Sequence, residues 1–247
     1  MSRRPATSTI DGMHDHVDHE TRHSAGDALR THRHGPAYAA LVLEGGYVEA
    51  SADGPIECTP GTLVLHPRYH AHGNRFGRRG ARVANLALPA GTEPAVLQVL
   101  RVPDRADAGE VFLRAPQHLH ALILASDGAH SMSLQGWQVE FLQDLQYSDE
   151  PIARIAHRAG VSDEHASRTF LRTHGMSPQL LRRELRSRQA LSLLASEASL
   201  VDIAARSGFA DQSHLTRSVR AMTGLPPGRL RRQQINCVQD AAPAPVR

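Results

Sequence analysis

The feature that most constrains this chain is a repeat in its C-terminal third. Ile152, Ile155, Ala156, Arg158 and Gly160 return 48 residues later as Leu200, Ile203, Ala204, Arg206 and Gly208. One residue is then inserted. Ala166-Ser167-Arg168 corresponds to Leu215-Thr216-Arg217, and Gly175-Met176-Ser177-Pro178 to Gly224-Leu225-Pro226-Pro227, both at an offset of 49. Each copy spells a short helix, a sharp turn and a second helix. Apolar residues three and four apart give each first helix one core-facing stripe. Gly160 and Gly208 fall where a left-handed cap ends a helix. Ser162 and Asp211 are good N-caps for the second helices, and Ser199 with Asp202 resembles a capping box for the first helix of the second copy. Between the copies, Ser177-Pro178 supplies a cap and a proline at the first helical position. The helix it opens runs to about Ser196 and carries Leu181, Leu185, Ala190, Leu193 and Leu194. The repeat predicts two helix-turn-helix units joined by a linker helix.

Charge divides along the same line. Residues 1–150 hold 13 Arg and 18 acidic residues, a net of −5, whereas residues 151–232 hold 14 Arg and 6 acidic residues, a net of +8. A basic C-terminal piece suits a polyanionic partner. Every cationic side chain outside histidine is arginine, with no lysine in the chain; arginine forks onto phosphate and guanine. No apolar run approaches the roughly 20 residues of a membrane span, and the polar N-terminus does not read as a secretory signal. Cys58 and Cys237 stand far apart without metal-type spacing, which fits a reduced cytoplasm.

The stretch IARIAHRAGVSDEHASRTFLRTHGMSP resembles the first half of an AraC/XylS-type DNA-binding domain, and LVDIAARSGFADQSHLTRSVRAMTGLPPGRLRR resembles the second half. Three departures stand out: Leu181 and Leu230 stand where the family usually has Tyr, Val219 stands where an aromatic residue is usual, and the join between Tyr147 and Ile152 is about two residues short. The resemblance implies a transcription regulator and not an enzyme, with double-stranded DNA as its partner. The second helix of each copy would lie in the major groove. Glu164, Ser167 and Arg168 would face base edges from the first, and Gln212, Ser213, His214 and Arg217 from the second. Arg172, Arg182, Arg186 and Arg220 are the phosphate candidates. Arg168 and Arg217 occupy equivalent positions from which each could reach a guanine. Ala156, Gly160, Phe170, Ala204, Gly208 and Leu215 read as core and turn.

The N-terminal half differs in kind. Residues 1–28 are polar and His-rich and read as a flexible arm. Between residues 29 and 92, short apolar runs such as Tyr38 to Leu43 and Thr62 to Leu65 alternate with Gly45-Gly46 and Pro60-Gly61, as in an antiparallel sandwich or barrel. His32-Arg33-His34 and the later Pro60 to His72 stretch resemble the two motifs of the small cupin barrel with which AraC-type regulators sense effectors. Alternation on a strand points His32 and His34 to the same face. By this resemblance, His32, His34, Tyr38, His66 and His72 are the effector-binding candidates. The carboxylate that metal-binding cupins place after the HxH pair is missing, because Tyr38, Ala39 and Ala40 occupy that stretch. No cofactor is therefore expected; His32, His34 and His72 would be the ligands if a metal were held.

The expected fold is a multidomain β plus α chain. A flexible arm (1–28) precedes a cupin-like β-barrel (29–92), and a helical connecting segment follows (93–147). A double helix-turn-helix domain (148–233) and a disordered tail (234–247) complete it. Leu134, Trp137, Phe141, Leu142 and Leu145 form an apolar stripe that serves either an internal core or dimerisation. The partners implied are DNA, a small-molecule effector of unidentified class, RNA polymerase and a second copy in a homodimer, with no membrane. Two other readings differ in class: a metal-dependent cupin enzyme fused to a DNA-binding module, and a constitutive DNA binder whose cupin is only a scaffold.

Overall fold

The structure, a computed structural model, describes residues 10, 13–14, 16–129 and 133–240, with side chains to residue 233. A mostly-β domain precedes an all-helical one. Among the described residues the sheet has nine strands: β1 (Met13–His14), β2 (Glu20–His23), β3 (Ala28–His34), β4 (Tyr38–Ser51), β5 (Gly54–Cys58), β6 (Thr62–His66), β7 (Ala71–Ala87), β8 (Gln98–Arg101) and β9 (Asp127–Gly128). Their order is β1-β3-β7-β4-β6-β8-β9, with β2 on β7 and β5 on β4, and all pairings but the parallel β1–β3 are antiparallel.

The apolar run in β4 is continuous because both of its faces are buried. Tyr38, Ala40 and Val42 point into one cluster with Tyr47, Ile56, Val64, Phe76 and Val83. Ala39 and Leu41 point into the other, which α1 (Arg105–Arg114) and α2 (Leu119–Ala125) cover with Ala108, Phe112, Leu119 and Leu122. Alternation with period two separates the two sets. Strands β4 and β7 slip register near Gly45, where a bulge bends a strand. Gly45 has φ +72°, and a Cβ there would sit 2.0 Å from the Gly80 carbonyl oxygen. Only glycine allows that approach.

The sheet is larger than residues 29–92. Residues 13–14 and 20–23, expected in a flexible arm, are strands; Glu20 holds Arg82 at 3.0 Å and His23 stacks on Phe76. Strand β8 pairs with β6, so the segment 93–147 is not purely helical.

The helical domain comprises α3 (Gly136–Tyr147), α4 (Ile152–Arg158), α5 (Asp163–Thr173), α6 (Pro178–Leu193), α7 (Leu200–Arg206), α8 (Gln212–Thr223) and α9 (Pro227–Asp240). Helix α3 belongs to it: Phe141 and Leu145, with Trp137 and Leu142 against them, pack with Ile155, Phe170 and Leu181. The stripe on α3 therefore faces an internal core, and the domain starts ahead of residue 148. A second core joins Ala190, Leu194, Ile203, Phe209, Leu215, Val219 and Leu230. Leu181, Val219 and Leu230, the departures from the family pattern, are all buried. The tail expected from residue 234 is helical as far as Asp240, while residues 241–247 lie outside the described ones.

The two domains dock along the linker helix α6. Arg33 of β3 meets Glu184 of α6 at 2.8 Å, with their side chains 6% and 3% exposed. Arg33 also donates to the Tyr69 carbonyl at 2.6 Å. Arg188 forks onto Asp53 at 2.9 and 3.0 Å, and the Thr31 hydroxyl donates to the Gly175 carbonyl at 2.8 Å. Ala52 and Ala71 enter the first helical core and Tyr69 the second.

Candidate functional site

Both helix-turn-helix units form as the repeat dictates. Gly160 and Gly208 take φ +71° and +72° at equivalent turns. The Ser162 hydroxyl accepts from the His165 N–H, and the Asp211 carboxylate from the His214 N–H, capping α5 and α8. The Ser199 hydroxyl accepts from the Asp202 N–H at 3.1 Å and lies 2.6 Å from that carboxylate. On α5, Ala166, Thr169 and Phe170 are buried, leaving Glu164, Arg168 and Arg172 exposed and Ser167 half-buried. On α8, Leu215, Val219 and Met222 are buried, and Gln212, Ser213, His214, Arg217 and Arg220 are exposed. The anchored side of each helix thus determines which side is presented.

Two arginines do not join that surface. Arg186, expected at phosphate, donates to the carbonyls of Gly208 and Ser148 and to the Asp149 carboxylate. It ties α6 to the α7–α8 turn and to the segment before α4. Arg182 donates to the Glu150 carbonyl at 2.7 Å. Carbonyls in the turns between helices need donors, and these two guanidiniums supply them.

The predicted effector residues converge. His32, His34, Tyr38, His66 and His72 all line one cavity of about 550 Å³ inside the sheet. Tyr38 stacks on His66 with centroids 4.4 Å apart, and its hydroxyl lies 3.2 Å from His72 Nε2. Burial, then the neighbouring imidazoles, drives His66 and His72 well below the usual histidine range and His34 to about 4. His34, His66 and His72 are therefore neutral imidazoles able to donate and accept hydrogen bonds.

Two residues of this region were not found by sequence reasoning. Glu49 lines the same cavity, 1% exposed, with Oε2 3.6 Å from His66 Nε2. Burial, then Asp53, pushes its carboxyl up to about 8. His70 is also buried and places Nδ1 3.3 Å from His66 Nδ1, while its Nε2 donates to Asp53 at 2.9 Å. Burial raises the Asp53 carboxyl, but the hydrogen bond from His70 and the charge of Arg188 outweigh it and hold the group well below the carboxylate range.

Residues 142–233 match the family model described as a helix-turn-helix domain. This segment is an AraC-type helix-turn-helix domain. An AraC-type domain is a DNA-binding module of transcription regulators. A search of curated proteins finds no match. Among solved structures, the chain is similar to ToxT from Vibrio cholerae with an unsaturated fatty acid bound. Identity is 12% and the TM-score 0.39, covering 86% of this chain and 93% of that one. It is similar to a transcriptional regulator with an AraC-type DNA-binding domain from Chromobacterium violaceum at 25% identity and TM-score 0.37, covering 44% and 95%. The C-terminal domain of AraT, a response regulator from Geobacillus stearothermophilus, is 26% identical with TM-score 0.35, covering 39% and 80%. Among the described residues no helix is long and apolar enough to cross a membrane.

Proposed function

We propose that the AraC-type domain binds DNA sequence-specifically and that a small polar molecule in the cupin-like N-terminal cavity sets its affinity. The observation that carries this reading is one strand. On β3, His32 and His34 face the cavity while Arg33, between them, reaches Glu184 on the helix that joins the two DNA-binding units. A ligand that shifts β3 through the histidines must move the arginine that holds α6. The neutral imidazoles suit a ligand rich in hydroxyl, carbonyl or amide groups.

The test follows from linkage. If the ligand changes DNA affinity by some factor, DNA changes ligand affinity by the same factor, typically about 1–3 kcal/mol. Metabolites that raise the melting temperature of the full chain are titrated against binding to DNA selected from a random pool. A compound whose binding is lost in Tyr38→Phe or His72→Gln, yet which leaves DNA affinity unchanged, would reduce the β domain to a scaffold.

Base readout is assigned to Glu164, Ser167, Arg168, Gln212, Ser213, His214 and Arg217, and phosphate contact to Arg172 and Arg220. Arg217→Ala is expected to cost about 1–3 kcal/mol on the preferred sequence and to relax preference at one base pair. Arg220→Ala should weaken preferred and scrambled DNA alike. Equal behaviour of the two variants on both DNAs would mean that α8 is turned the other way.

A further inference from the structure

We infer that Glu49, His66, His70 and His72 form a binding site for one divalent transition-metal ion, zinc by the chemistry of its donors. The site lies between the cavity floor and the docked linker helix. Three imidazoles and one carboxylate are a set that zinc takes up. Their ligand atoms lie within 4.8 Å of one another. Four atoms at about 2.0–2.1 Å from a tetrahedral zinc stand roughly 3.3 Å apart, so no separation has to contract by more than about 1.5 Å.

The four residues are 1%, 1%, 4% and 2% exposed. A buried polar atom without a partner is costly, and two of the orphaned atoms belong to this group: Glu49 Oε1 and His72 Nδ1. Among the described residues Glu49 pairs with no arginine; the imidazole beside it is that of His66, with Nε2 3.6 Å from Oε2. A divalent cation would give both orphaned atoms a partner. The outer contacts also fit. A metal-bound histidine commonly gives its other ring nitrogen to a carboxylate or similar group. Asp53 takes His70 Nε2 and leaves Nδ1 facing His66, while Tyr38 meets His72 Nε2 and leaves Nδ1 unpartnered. Glu49, His66 and His72 line the cavity, which gives an ion a way in. His70, through Asp53, reaches Arg188 on α6. The inference holds whether or not an organic ligand occupies the cavity above.

A second group, His32, His34 and His72, shares His72 and borders the same cavity. It has no carboxylate, and His34 is only half-buried. The experiment separates the two sets. Full-length protein stripped with EDTA is titrated with Zn²⁺ against a chromophoric chelator, and with Co²⁺ under visible absorption. One equivalent of Zn²⁺ is expected, with a Co²⁺ spectrum of intense four-coordinate type. Glu49→Gln and His66→Gln should weaken Zn²⁺ binding at least about ten-fold, and Asp53→Asn by about 10–100-fold, whereas His34→Gln stays within about three-fold. Circular dichroism and DNA binding confirm that each variant is folded, and the wild-type stoichiometry and Co²⁺ spectrum stand without the variants. The inference is overturned if folded, DNA-binding wild-type protein retains no stoichiometric Zn²⁺. It is equally overturned if His34→Gln abolishes binding while Glu49→Gln preserves it.

Discussion

Replacing Arg33 by Met is expected to destabilise the chain by about 3–5 kcal/mol, because Glu184 is then left charged or unpaired in the buried interface. The pair is closed at 2.8 Å and almost wholly removed from water. The cost of taking both charges out of water is already spent in the native state, so losing one partner forfeits the attraction and keeps the burial penalty. The double variant Arg33→Met/Glu184→Leu removes both charges and fills the space with apolar atoms. Much of the stability should return, since a buried pair is often no better than well-packed hydrophobic residues. Trp137, the single tryptophan, packs against the first helical core and reports its unfolding by fluorescence. The double variant should also lose ligand control of DNA affinity, because the strand no longer grips α6. If the single and double variants are equally destabilised, or each by less than about 1 kcal/mol, the pair is not the clamp inferred here.

A steep fall of DNA affinity with salt is the second large effect expected. Neutralising roughly six to eight phosphates gives a log–log slope of about −5 to −7, and thus a loss of about 10³–10⁴-fold between 50 and 200 mM salt. The helical domain has the cations for it: Arg154, Arg168, Arg172, Arg183, Arg206, Arg217, Arg220 and Arg229 are exposed. Arg182 and Arg186 are bound to backbone carbonyls within the protein and are not counted. Full-length protein titrated onto selected and scrambled duplexes across that range measures the slope directly. A slope near zero on both would remove the claim that this surface meets the phosphate backbone.

The sequence by itself determined the caps and turns of both helix-turn-helix units. Caps, turn glycines and apolar spacing are local signals, so Ser162, Asp211, Gly160 and Gly208 could be placed without knowing what packs where. Alternation on a strand is local too and put His32 and His34 on one face; their grouping with Tyr38, His66 and His72 came from the resemblance to the cupin motifs, and all five line one cavity. What only the tertiary structure decided depends on register and on contacts between distant segments. Counted with period two from Tyr38, Glu49 falls on the outer face of β4; the register slip around Gly45 turns it inward. A bulge changes parity for every residue beyond it. Arg186 looked like any exposed arginine on a basic helix until folding brought Gly208 and Ser148 within its reach. Strand β2 looked like part of a polar arm because its partners, Arg82 and Phe76, lie more than 50 residues away in sequence. Arg33 and Glu184 are 151 residues apart. No local pattern could pair them; the docking of the β domain on the linker helix did.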